Sequence, residues 1–182
     1  MEVVARARLS RQRQRNHDVA ARRRARRCAA ALPERRRHIG AVSLEPFLGP
    51  CRVIHAIDCG PLITPEHLLH AADNLPPRIL VRTAKHAAQE WWTDDFSAYA
   101  PQTIEWLAER GVMLIGLDTP SIDPASSKTL DSHHAILRHD MRVLENLVLD
   151  DVPQGDYELI ALPLALIQAD ASPVRAVLRE LG

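Results

Sequence analysis

No run of about 18 apolar residues occurs anywhere in the 182-residue chain, so no membrane-spanning helix is expected. Cysteine is scarce. Cys28, Cys51 and Cys59 are odd in number and form no CxxC pair, which argues against a disulfide scaffold and fits a reducing cytoplasm. Aromatic residues make up only 4% of the chain, and all of them (Phe47, Trp91, Trp92, Phe96, Tyr99, Trp106, Tyr157) lie beyond residue 41. The sequence has no GxGxxG, no P-loop and no GxSxG. A nucleotide-binding fold and a serine hydrolase are therefore both without support. What remains is 46% hydrophobic and 25% charged, ordinary for a soluble chain long enough to bury one core.

The net charge of zero hides a division. Residues 1–40 carry 13 Arg, no Lys, and only Glu2, Asp18 and Glu34 as acids, a balance of +10. Residues 41–182 carry 10 basic and 20 acidic residues, a balance of −10. The stretches RARLSRQRQRN and ARRRARR form a basic arm of the kind that docks on phosphate backbones, so a nucleic-acid-binding protein is the rival class. The arm has no aromatics for stacking, and no helix-turn-helix or zinc-finger spacing follows it. A nucleic-acid partner is not expected, and the arm itself is expected to be disordered. It also lacks the charged, apolar and cleavage-site order of a signal peptide.

From residue 41 onward the chain reads as mixed α/β with one core. CRVIHAI (51–57), RILVRT (78–83), VMLIGL (112–117), MRVL (141–144) and YELIALPLAL (157–166) are short apolar runs and read as strands. Thr64-Pro65-Glu66 opens a helix that should end near Asn74. Pro101 opens another, with Ile104, Leu107 and Ala108 on one face and Gly111 as its stop. Asp131-Ser132 start a short helix through HHAILRHD, and Pro173 begins a last one through VRAVLREL.

The residues that can do chemistry concentrate between Asp118 and Asn146. A Pro- and Ser-rich loop leaves a buried strand and runs into a helix that begins with His133 and His134. Loops after strands are where α/β proteins place functional groups. His133 or His134 with Glu145 can offer nitrogen and oxygen ligands to a zinc-like ion. Spacing alone favours the other reading, exposed first-turn histidines and a solvated loop acid, because two ligand types twelve residues apart are not specific. His67 and His70 lie three apart on one helix face, Asp94-Asp95 are adjacent acids in a loop, and Trp91-Trp92 are core, interface or stacking residues. None of these has an evident third partner.

The consecutive stretches IGAVSLEPFLGPCRVI and VMLIGLDTPSIDPASSKTLDSHHAILRHDMRVLENLVLDDVPQGDYELIALPLALIQADASPVRAVL closely resemble the bacterial kynurenine formamidases. These are metal-dependent cyclase-like hydrolases, and GLDTPSIDP…SHH…LENL is the most specific part of the match. The resemblance implies a cyclase-like swivelling β/β/α fold in residues 39–182, a cytoplasmic homodimer, and hydrolysis of N-formyl-L-kynurenine to L-kynurenine and formate in tryptophan breakdown. It also implies two zinc ions per subunit. By motif position His133 binds one of them and Glu145 bridges both. The family's remaining ligands and its acid/base histidine come from an HxGxHxDxPxH stretch, whose four functional positions fall on Ala21, Ala25, Arg27 and Ala31. Alanine has no donor, and arginine stays protonated and repels a metal. The residues that contact substrate are not identified.

One event accounts for both the arginine excess and the missing motif. RQRQRNHDVAARRRARRCAAALPE can be back-translated so that reading from the second base gives VNVSAITMSPHVGAHADAPLHYR. That string contains HVGAHADAPLH, with histidine in place of Ala21, Ala25 and Ala31 and aspartate in place of Arg27. In each shifted codon only the middle base is free, yet all six motif residues are permitted. Residues 1–38 are accordingly expected to be a frameshifted arm, and 39–182 an N-terminally incomplete hydrolase domain. The alternatives are a catalytically dead, dimerising homologue and a nucleic-acid-binding protein.

Overall fold

The computed structural model describes residues 38–87 and 93–181. Among them the chain forms eight strands: β1 (Leu48–His55), β2 (Leu62–Ile63), β3 (Arg78–Arg82), β4 (Ala98–Tyr99), β5 (Leu114–Leu117), β6 (Arg142–Leu144), β7 (Gly155–Ile160) and β8 (Val177–Glu180). Two α-helices, α1 (Pro101–Ala108) and α2 (Asp131–Arg138), connect them together with short 3-10 turns.

Six strands make one mixed sheet in the order β6-β5-β3-β1-β7-β8. The first four run parallel, and β7 and β8 add on antiparallel. β2 and β4 pair in parallel as a separate small ribbon. Side chains alternate across the sheet with the strand period of two. Ile79, Val81, Ile115 and Leu117 face a cluster with Ile104 and Leu107 of α1 and Ala135 and Ile136 of α2. Leu80, Leu114 and Leu144 face the other way, onto Phe47, Leu147, Tyr157, Leu159 and Leu178. A parallel strand covered on both sides reads as a continuous apolar run, which is why RILVR and VMLIGL were legible as strands. Each fully buried Leu or Ile contributes about 1.5–3 kcal/mol.

Arg78 is the one cation sunk into this structure among the described residues classed as buried. Its guanidinium donates to the carbonyls of Pro46 (2.7 Å), Pro50 (3.3 Å) and Glu45. This ties the entrance of β1 to the start of β3. Gly49 adopts φ +127°, and a Cβ there would lie 3.1 Å from Arg78 Nη1. The backbone conformation calls for glycine, and a Cβ would also crowd the guanidinium.

Three segments differ from the sequence expectation. The helix expected over 64–74 is two 3-10 turns, Pro65–His67 and Leu69–Ala71. Thr64 opens the first turn as anticipated, and His67 Nδ1 accepts the Thr64 N–H at 3.0 Å in a capping box. The strand in YELIALPLAL stops at Ile160, before Pro163, which has no N–H for a ladder. The helix expected in VRAVLREL is strand β8, paired antiparallel along β7. Leu178 is fully buried there, and the open edge of β7 supplies a ladder of partners. Tertiary pairing overrides local propensity in such a segment.

Candidate active site

The carboxyl ends of β3, β5 and β6 open on the same edge of the parallel sheet, the usual place for a site in such folds. Asp118 directly follows β5 and accepts from Thr83 N (2.9 Å), Thr83 Oγ1 (2.7 Å) and Ala84 N (2.9 Å), locking the end of β3 beside it. Burial pushes the Asp118 carboxyl above the usual carboxylate range, against the pull of those donors. The loop then crosses to the next elements. Thr119 Oγ1 donates to Ser97 O at 3.0 Å, and Thr119 O receives Asn146 N–H at 2.9 Å. Ile122 N–H donates to Glu145 Oε1 at 3.0 Å, which aims the carboxylate of the residue after β6.

Asp123, 2% exposed, sits beneath the first turn of α2. Its Oδ1 accepts Ser132 N–H at 2.9 Å, and Oδ2 accepts His133 N–H at 3.1 Å and His133 Nδ1 at 2.5 Å. Burial acts to raise the Asp123 pKa, but the donors from His133 and Ser132 outweigh it and hold the carboxyl below its ordinary value. Ser132 Oγ donates to Tyr99 O at 2.7 Å and pins the same turn to β4. Leu130, just before the helix, holds a left-handed conformation at φ 56°, ψ 47°. Backbone strain of this kind persists only where the surroundings fix it.

The outcome is that His133 and Glu145, twelve residues apart in sequence, face each other with Nε2 and Oε1 separated by 4.0 Å. Two ligands about 2.0–2.2 Å from a tetrahedral zinc stand on the order of 3.4 Å apart. The imidazole nitrogen and carboxylate oxygen are thus a donor pair of suitable chemistry, set somewhat wider than a shared ion would hold them. Among the described residues no cluster of three or more His, Cys, Asp or Glu has metal-binding geometry. Ala21, Ala25, Arg27 and Ala31, and with them the arm expected to be frameshifted up to residue 37, lie outside the described residues, as do Trp91 and Trp92.

The other candidates are placed elsewhere. His67 is taken up by the Thr64 cap, and His70 Nε2 lies 3.0 Å from Gln154 Oε1. Asp94 and Asp95 line an open pocket of about 320 Å³ with Pro61, Phe96, Pro124, Ala125 and Ser126. Pro124 connects this pocket to Asp123. Sequence reasoning missed both Asp118 and Asp123. The usable signal was their place, one ending a buried strand and the other in the loop leading to the α2 start.

The fold is that of the cyclase-like hydrolases. It is similar to a potential metal-dependent hydrolase with cyclase activity (TM-score 0.67, 24% identity, covering 78% of this chain and 70% of that one). It is also similar to isatin hydrolase A of Labrenzia aggregata (TM-score 0.63, 24% identity, 78% and 64%). Residues 27–124 match the putative-cyclase family. Over 144 residues the chain is 88% identical to a kynurenine formamidase of Bordetella petrii, covering 79% of this chain and 69% of that protein. The kynurenine formamidase of Polaromonas naphthalenivorans is 65% identical over 144 residues, 79% of this chain and 64% of that protein. The chain belongs to the cyclase family and, within it, to the kynurenine formamidases.

Proposed function

We propose that this chain descends from a hydrolase of linear amides that converts N-formyl-L-kynurenine to L-kynurenine and formate, and that residues 1–38 as written do not supply its working site. The observation that carries the reading is the convergence of His133 and Glu145 at the sheet edge, 4.0 Å apart, in a chain 88% identical to a kynurenine formamidase. The finer terms of the proposal are zinc as the metal, two ions per subunit, a homodimeric assembly and a cytoplasmic location. Among the described residues no helix is long and apolar enough to cross a membrane.

In such a site His133 would hold one ion through nitrogen, and Glu145 would bind through its carboxylate, oriented by the Ile122 N–H. The metal, when bound, lowers the pKa of a coordinated water and polarises the formyl carbonyl. The chain's own residues fix where those donors stand. Asp118 and Thr83 hold the loop end, Thr119 ties it to Ser97, and Asp123 holds the histidine. His133 and Glu145 are two of the five ligands that the resemblance implies, and a catalytic zinc takes three protein groups plus an open position. The chain as written is therefore expected to lack activity.

The shifted reading of codons 8–38 supplies the remaining donors in the right register, and it is the source we propose for them. The nucleotide sequence over codons 1–40 tests this directly. The second frame should stay open and encode the HxGxHxDxPxH pattern, and a stop codon within it sinks the idea. In the matching assay, the 182-residue chain with excess zinc should hydrolyse N-formyl-L-kynurenine no faster than buffer, and the frame-restored chain should be active. Activity in the unrestored chain would show that the site is misplaced. Inactivity in the restored one would overturn the proposed reaction.

A further inference from the structure

Asp123 makes more contacts to α2 than a helix cap requires. An ionised carboxylate only accepts, and here both oxygens are used: Oδ1 by Ser132 N–H, Oδ2 by His133 N–H and by the His133 ring at Nδ1. The two backbone groups can only donate. They fix Asp123 as the acceptor on both sides, so the short contact at Nδ1 has one consistent assignment, with the ring donating. A neutral imidazole carries a single N–H. Placing it on Nδ1 leaves Nε2, the atom 4.0 Å from Glu145 Oε1, as the basic nitrogen.

We propose that Asp123 is a positioning residue: it holds His133 in the tautomer protonated on Nδ1 and turns the unprotonated Nε2 toward Glu145. The carboxylate does this from a rigid seat. It is 2% exposed, and its helix is pinned independently by Ser132 Oγ on Tyr99 O. Second partners of this kind fix ring orientation and basicity in histidines that bind metals. Asparagine cannot replace it. One amide oxygen cannot serve three donors spread over two oxygens, and the NH2 would face a backbone N–H. The role rests on reading His133 as a ligand, but the tautomer exists with or without metal or activity. Its test is therefore separate from that of the proposed reaction.

The test is nitrogen NMR of the full 182-residue chain labelled with 15N-histidine, without metal, at pH 9, where imidazole is neutral. His133→Gln identifies the resonance pair by its loss. The expected spectrum has His133 with a protonated, pyrrole-type Nδ1 and a pyridine-type Nε2. In Asp123→Asn the pattern should reverse or average between the two tautomers. A cap alone would lower the melting temperature of Asp123→Asn and leave the tautomer unchanged, and that result overturns the proposal. Should Asp123→Asn fail to fold, the parent spectrum still decides: a proton on Nε2, or on both nitrogens, overturns it as well.

Discussion

Two thiols with different surroundings show how far a side chain's environment sets its chemistry. Cys51 lies fully buried in β1, and burial pushes its pKa up to about 12, with Arg78 pulling it down and Asp156 adding to it. Cys59 is half-buried, with its thiol also raised by burial while Ser97 lies within reach of Sγ at 3.6 Å. The thiolate is the reactive form. Iodoacetamide at pH 8 should therefore label Cys59 ahead of Cys51, and Cys51 only under unfolding conditions, as read by peptide mass after digestion. Rapid native labelling of Cys51 would contradict the packing of β1.

Arg52 and Asp156 form a bidentate pair between β1 and β7, at 2.6 and 2.8 Å, and Arg52 also donates to Ala71 O and Asp73 O. The Arg52 hydrogen bonds hold the Asp156 carboxyl below its usual pKa, against a smaller opposing effect of burial. A depressed carboxylate contributes stability above its unfolded pKa of about 3.9 and loses it as pH falls through the lower folded value. Asp156 is half exposed, so the contribution is screened. Asp156→Asn should lower the melting temperature by about 1–3 °C at pH 7. The difference should shrink as pH falls below the ordinary carboxylate range and disappear only below the depressed folded value, as followed by calorimetry across pH.

At the scale of elements, the sheet works because β5 passes closely between its neighbours. A Cβ on Gly116 would lie 2.5 Å from Leu80 Cδ2 and 2.8 Å from Leu147 Cδ1. Gly116→Ala must displace both side chains, at about 1–3 kcal/mol. A fall in melting temperature of about 3–8 °C is expected. An unchanged value would mean that the β5 face toward Leu147 is looser than described. The parallel strands and α1 were legible because continuous apolar runs and a Pro-started amphipathic turn are local signals. β8 was not. VRAVLREL has the composition of a helix, and only the unfilled edge of β7 makes it a strand. The 64–74 segment starts as its sequence suggests, with a Thr64–His67 capping box, but continues only as two 3-10 turns.

For the whole molecule, the proposed site draws on three strand ends, and we propose that residues 1–38 decide whether it is complete. Zinc binding by the frame-restored chain, measured by metal content after dialysis, should reach about two ions per subunit. In that background Glu145→Ala should remove both ions and activity together if this carboxylate has the bridging role proposed for it. His133→Ala should mainly weaken one site. Loss of a single ion on Glu145→Ala would refute the bridging role.

The sequence by itself determined the division between an arginine-rich arm and an acidic α/β domain, the family, and the pair His133 and Glu145. Composition, short apolar runs and motif spacing are properties of a linear chain and need no partner. Only the tertiary structure decided that the two residues meet, that Asp123 and Asp118 stand behind them, and that Leu130 is held left-handed at the helix start. Those facts depend on groups 10 to 35 residues apart being brought to one sheet edge. The hydrogen bonds that do so are made by buried carboxylates and backbone N–H groups, which every residue but proline carries and no sequence pattern marks.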